Sequence, residues 1–384
     1  MKPGIRKLSP VVALGCAVLL HSPLRAAELP PKQQVVDMLW HERFDDLEQL
    51  TGEFRQEKLG FYSGYSKLSQ VYGYLEGPSY KADDSVWKEY IIKLEKWAEA
   101  YPQSPTPLVA MGNTYKNWAW KARGGGYADS VKREGWRLFR DRLDNARRYL
   151  KTADRLPTKD PELYNVLITV AMGLSWPREE MEAVFKKGVE LDPNYLQLYH
   201  AKAYYLLPRW HGAPGDWEAF AMEAADARGG EDGDILYMAI ARSQAWSEGA
   251  QLFRNTGISY ERMKRGFEAS LRRYPDYLWE MNSFCYFACI AADRETAKRL
   301  FTKIGGRCEK DVWGQHDTFV QWQNWATGAG SAPATAFRSR PTRARFTSEQ
   351  VKSALLLTGV IWLGIVAVVG AVVWSIVRNY QKSK

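Results

Sequence analysis

The chain has little histidine and little cysteine, five and four residues among 384. The histidines are His21, His41, His200, His211 and His316, and none stands at HExxH spacing or in a close His/Asp cluster. No nucleophile-elbow pattern is present, although a Ser-His-Asp set assembled in space stays open. The glycine-rich stretch KARGGGYADSV (121–131) lacks the Gly-x4-Gly-Lys-Ser/Thr pattern of a phosphate loop, and no parallel-strand context precedes it. Strand signals are few. The interior also lacks net charge. The formal charge of +9 invites a nucleic-acid reading. Four basic residues, however, fall in 1–27 and eight in 338–384, which leaves residues 28–337 with 41 basic against 43 acidic side chains, a balance of −2. The basic excess belongs to the two ends and suits anionic headgroups better than a phosphate backbone.

Those ends carry the long apolar runs. Residues 1–27 read as an export signal, with Lys2, Arg6 and Lys7 ahead of the Val11–Leu20 run and small residues near Ala26-Ala27 for cleavage. Cys16 follows Ala13-Leu14-Gly15, as in a lipoprotein signal, but apolar residues continue past it and place it inside the run. Ala354 to Val377 is uncharged and long enough to cross ~30 Å of hydrocarbon as a helix. Trp374 and Tyr380 mark its far interface, and residues 378–384 form a short basic tail. A cleaved signal places the main domain outside the cytoplasm. Arg338, Arg340, Arg343, Arg345 and Lys352 ahead of the span pull the other way, toward a tail anchor with a cytoplasmic domain. The signal acts first during synthesis and decides the expectation. Residues 326–353, rich in small residues, Pro and Arg, read as a flexible basic linker.

Between the ends the period is helical. After Asp160-Pro161, apolar residues fall at Leu163, Val166, Leu167, Val170, Ala171 and Leu174, one face of a helix with Asp160 as N-cap and Pro161 at N1. Further helices are expected at 34–57, 61–76, 84–100, 106–122, 130–154, 216–227, 234–247 and 308–326, and from Pro193, Asp276 and Asp293. Pro161 and Pro193 lie 32 residues apart, close to the period of a two-helix repeat. Met181-x3-Phe185-x2-Gly188-x4-Pro193 recurs as Met263-x3-Phe267-x2-Ser270-x4-Pro275, and Ala297-x3-Phe301 continues the theme. These positions resemble the second helix of a tetratricopeptide repeat. The first helices depart from that pattern, with Thr169 where Gly or Ala would allow closest approach. More broadly, WAWKARGGGYADSV (118–131), YLLPRWHGAPGDWEAFA (205–221) and NSFCYFACIAADRETAKRLFTKIG (282–305) resemble a bacterial family of such repeat proteins described only as a domain of unknown function. The resemblance implies a fold and no chemistry.

The stretch YYLLPRWHGAPGDWEAFA (204–221) carries the candidate site. Pro208 ends a helix, Gly212 to Gly215 make a tight loop, and Asp216 reads as the cap of the next helix, with Trp217, Phe220, Ala221 and Ala224 at helical spacing. Two readings follow. Either Trp210 and Trp217 clasp a corner while Arg209 pairs with a carboxylate or stacks on a ring, or Arg209, Trp210, His211 and Trp217 line a groove for a partner. Aromatic residues at helical spacing favour the corner. Three cysteines lie outside the signal. In an antiparallel hairpin Cys308 returns nearer to Cys285 than to Cys289, so an oxidising compartment would give a Cys285–Cys308 bridge and a free Cys289, against the alternative of three apolar thiols.

The sequence therefore predicts an all-α protein: a signal (1–27), a TPR-like helical-hairpin solenoid (28–325), a linker (326–353), one transmembrane helix (354–377) and a tail (378–384). The expected role is an envelope scaffold that binds a peptide or protein partner, with no cofactor, metal or nucleic acid. The rivals are an envelope hydrolase acting on glycan or peptide in a Trp-lined groove, and a purely structural membrane protein.

Overall fold

The computed structural model describes residues 28–57 and 66–333. The expected signal, transmembrane helix and tail, and all of the linker after residue 333, lie outside them. Among the described residues no helix is long and apolar enough to cross a membrane.

These residues form seventeen α-helices and two short 3-10 turns, with no strand among them. Ten helices come first: α1 (Lys32–Trp40), α2 (Phe44–Glu57), α3 (Lys67–Tyr74), α4 (Asp84–Ala100), α5 (Pro105–Arg123), α6 (Arg133–Arg155), α7 (Pro161–Gly173), α8 (Arg178–Leu191), α9 (Leu196–Tyr205) and α10 (Asp216–Arg228). Seven follow: α11 (Gly230–Glu248), α12 (Leu252–Asn255), α13 (Tyr260–Arg273), α14 (Leu278–Ile290), α15 (Arg294–Ile304), α16 (Lys310–Trp313) and α17 (His316–Thr327). The starts are written in the sequence. Asp160 accepts the Glu162 amide at 2.9 Å with Pro161 in the first turn, Ser104 caps α5 ahead of Pro105, and Asp293 accepts the Thr296 amide at 3.1 Å.

From α4 onward each long helix packs on the next, and α5, α7, α9 and α11 also pack on one another in turn. They form an inner layer, backed by α6, α8, α10 and α13. The difference shows in burial. Inner α7 is buried on nearly every side, whereas outer α8 buries Met181 and Gly188 alone. Gly188 explains how α8 lies so close: a Cβ there would stand 2.7 Å from Leu198 Cδ2 and 3.0 Å from Tyr164 Cβ. In the second copy of the motif Ser270 takes that place and donates its buried hydroxyl to Glu280 Oε1 at 3.0 Å. The described residues through Ser331 fall in one compact unit, so the helices from α1 to α17 belong together and not to two lobes.

Several boundaries differ from expectation. The helix expected at 34–57 breaks at Glu42, which adopts a left-handed φ of 57°; the turn is closed by Arg43 N to Met38 O at 2.8 Å, and Lys93 and Lys96 grip the Glu42 carboxylate at 2.7 and 2.8 Å. The helix expected at 308–326 is split at Gly314, with φ 71°. Pro193 belongs to a turn held by Asp192, whose Oδ1 accepts the Asn194 amide, and α9 starts only at Leu196. Gly215, with φ 95°, takes the cap position expected of Asp216, which is the first residue of α10. α17 continues to Thr327, two residues into the stretch read as linker.

Candidate binding site on the inner helices

α7 has α5 and α9 at its sides and α6 and α8 behind it, which leaves one side free. Along α7 the partly open positions are Asn165 and Thr169, four residues apart, whereas Gly173 faces α6, where a Cβ would stand 2.5 Å from Leu143 and 2.9 Å from Phe139. Thr169, anomalous against the repeat pattern, thus lies on the open side. The neighbours show the same restriction. On α5 the partly open positions in its second half include Lys116 and Trp120, and on α9 they are Gln197, His200, Ala201 and Tyr204; α11 is buried from Ile235 through Ala241 and opens again at Arg242 and Ser243, beside which Trp279 and Tyr286 of α14 are partly open. The inner layer therefore presents a narrow stripe of polar and aromatic side chains.

At the N-terminal end of the stripe the polar groups are consumed internally. Asp160 Oδ2 accepts from Arg55 (2.8 and 2.9 Å) and from the Tyr72 hydroxyl (2.7 Å), and Arg55 also donates to Thr106 Oγ1 at 2.7 Å. Glu162, almost fully buried, accepts from Tyr195 (2.8 Å) and Asn165. Its burial outweighs those bonds and the nearby Lys116 charge, and pushes its pKa up to about 7. Asn113 and Asn117 donate to the Tyr72 and Glu76 carbonyls at 3.3 and 3.0 Å and fasten the end of α3 to α5.

The 204–221 stretch forms the edge of the layer. His211 Nε2 contacts the Met172 carbonyl at 2.8 Å, so it is the donor, and its ring stacks on Tyr205 at 4.6 Å. Arg209 lies over the Tyr204 ring at 5.0 Å. Trp210 meets Tyr204 at 6.0 Å and, edge to face, Trp120 of α5 at 5.4 Å. Arg123, which the sequence reading passed over, sits 5.4–5.5 Å from three indoles, Trp120, Trp136 and Trp210. The partners of Trp210 are therefore Tyr204, Trp120 and Arg123 and not the expected Trp217, which is buried in α10. Two of the stretches that carried the family resemblance, 118–131 and 205–221, meet here. The signal for that meeting was the tryptophan and arginine content of both.

Toward the C-terminal end a cavity of about 380 Å³ opens between α9, α11, α14 and α16. His200, Arg242, Trp279, Ser283, Tyr286 and Asp311 line it, with Phe287 and Val312. Arg242 is tied to buried Glu280 and lies 4.8 Å from the Trp279 ring. Burial, with the Arg242 charge, pushes the His200 pKa down to about 3 and keeps its imidazole neutral. Of these residues the sequence points only to His200, as one of five histidines, because the lining is spread over four helices and no local spacing joins it.

Cys285 and Cys308 are not bridged; both, and Cys289, are free thiols. The hairpin does return as expected, but one turn out of step. Asn282 Nδ2 donates to the Arg307 carbonyl at 3.1 Å and Asn282 Oδ1 accepts the Glu309 amide at 3.3 Å, which sets Cys308 level with residue 282 rather than 285. The Cys285 thiol instead faces the Ala297 carbonyl at 3.8 Å, and burial raises the Cys289 thiol well above its ordinary range. Comparison with protein-family models and with curated proteins finds no match to this chain.

Proposed function

We propose that this chain is a membrane-anchored cell-envelope protein whose tetratricopeptide-like helical hairpins hold an extended peptide or protein segment along the inner stripe. The observation that carries the reading is the burial pattern. Helices otherwise enclosed keep one row of positions open, and that row is polar and aromatic: Asn165, Thr169, Gln197, His200, Tyr204 and Trp279. A stripe with both flat aromatic faces and amide groups suits a peptide, whose backbone needs donors and acceptors and whose side chains need apolar contact. The uncharged run Ala354–Val377 supports an anchor, the 1–27 segment supports export, and residues 326–353 would set the reach of the domain from the bilayer.

The test uses the full-length chain in a neutral detergent, screened against displayed random peptides. Selected peptides should lose binding when Thr169→Trp fills the stripe and keep it when Glu180→Trp alters the exposed outer face of α8. Failure to enrich any peptide, or equal sensitivity to both changes, would refute the reading. Protease added to intact spheroplasts should digest the domain; protection until lysis would place it in the cytoplasm instead.

A further inference from the structure

The cavity between α9, α11, α14 and α16 says what kind of side chain such a partner would insert. At about 380 Å³ it falls within the range of small-ligand sites. Its charges do not cancel. The Arg242 guanidinium is spent on Glu280, a carboxylate that also accepts from Ser270 Oγ at 3.0 Å. His200 is neutral. Asp311 lines the mouth and forms no ion pair among the described residues, so the cavity carries one uncompensated negative charge. Its hydroxyls are not equivalent. Ser243 donates to the Ile240 carbonyl at 2.7 Å and accepts from Gln244 at 3.0 Å, so it is committed. Ser283, 3% exposed, and Tyr286 also line the cavity, and neither hydroxyl has a hydrogen-bond partner among the described residues. Trp279, Phe287 and Val312 supply apolar wall.

We propose that this cavity is a subsite for a primary alkylammonium group, the side chain of a lysine in the bound segment. The ammonium has three donors and no acceptor, matching the Asp311 carboxylate and the Ser283 and Tyr286 oxygens. The four-carbon stem lies along Trp279, Phe287 and Val312. A carboxylate would face Asp311 without a free cation to receive it, and an uncharged chain would gain nothing from Asp311, which is exposed and stays hydrated. The proposal rests on the peptide-binding reading for its ligand, but its chemistry is separable from it.

The experiment is ligand-observed NMR on the full-length chain in neutral detergent, with N-acetyl-lysine N-methylamide as probe and the norleucine and glutamate analogues as controls. The lysine probe should bind about tenfold or more tighter than either control, an advantage reduced about tenfold by Asp311→Asn and lowered further by Ser283→Ala. Asp311 is exposed, so its replacement tests the site without threatening the fold. Equal binding of the norleucine or glutamate analogue, or lysine binding unchanged in both variants, would overturn the subsite. Probe binding with no gain from longer lysine peptides would keep the subsite and remove the peptide-binding reading.

Discussion

The two ends of the inner stripe differ in what their polar groups do. Near α3, α5 and α7 the charges are turned inward: Arg55, Tyr72 and the Glu162 amide all converge on Asp160, and Tyr195 and Asn165 on Glu162. Near α14 and α16 the Ser283 and Tyr286 hydroxyls and the Asp311 carboxylate open into a cavity. Both ends carry aromatic and charged residues, so residue type alone does not separate them. What separates them is where the charged groups find their partners: at the first end the Asp160 and Glu162 carboxylates are engaged, although the buried Asn113 Oδ1 accepts nothing. A filled network holds helices in place, whereas unfilled valences at a cavity are available to a ligand.

The largest effect should follow from breaking the filled end. Asp160→Ala would leave Arg55 charged and partly buried without its carboxylate, strip the Tyr72 hydroxyl of its acceptor and remove the cap of α7. Loss of one partner from a buried pair costs about 3–5 kcal/mol. Denaturant unfolding of the variant should show a loss in that range. A loss below ~1 kcal/mol would mean that the network is incidental and the contrast between the ends is false.

The two ends should also answer pH in opposite senses. Glu162 has its folded-state pKa raised from 4.5 to about 7, so its contribution is present below about 4.5 and is lost as pH rises through about 7. His200 has its pKa lowered from 6.5 to about 3, so its contribution is present above about 6.5 and is lost as pH falls through about 3. Across its full window the effect is on the order of 3 kcal/mol for Glu162 and on the order of 5 kcal/mol for His200. Between about pH 4.5 and 6.5 these two slopes oppose, while Glu48 and Glu218, also raised by burial, add to the Glu162 slope, so the wild type should lose stability only modestly as pH rises. Glu162→Gln should then uncover stability that rises with pH, and His200→Asn stability that falls with it. Asp84 and Asp293, both held near about 2, act below this window. Parallel profiles for the two variants would dispose of the assignment.

Local features were legible in the sequence where one residue acts on its own helix. Asp160 with Pro161, Asp293, and the Met181/Phe185/Gly188 motif each announced a start or a packing face. Features made by two distant segments were not. Nothing near residue 42 says that Lys93 and Lys96 will grip its side chain and brace a left-handed turn. The cavity draws on residues from His200 to Val312, and the clustering of Arg123 with Trp120, Trp136 and Trp210 needs the fold to close. The cysteines are free thiols, and their placement shows the same limit: the hairpin returns as its topology requires, but Cys308 stands level with residue 282, a register set by packing at Asn282 that no spacing rule supplies.

A smaller effect is expected at the edge of the stripe. Trp210→Ala removes the ring that meets Trp120 and Tyr204 and one of the three indoles under Arg123. The indole is only half-buried, so the cost should lie near 2 kcal/mol, below that of a core aromatic. The variant should stay folded at 25 °C with a lowered unfolding midpoint. An unchanged midpoint, together with weakened peptide binding, would move Trp210 from the corner to the ligand and extend the open end of the stripe along α9.

The smallest effect on stability is expected at Thr169, and it separates a scaffold position from a contact position most sharply. Thr169 is partly open, on the free side of α7, and no hydrogen bond of its side chain to a described residue holds the fold. Thr169→Ala replaces a β-branched residue with the best helix former, so the lost methyl contact and the gained helix propensity nearly cancel, within about 0.5 kcal/mol. Unfolding should therefore be indistinguishable from wild type, while the affinity of a peptide selected for the stripe changes. A drop above ~1 kcal/mol would show that Thr169 is packed rather than presented, and the stripe would then lose its central position.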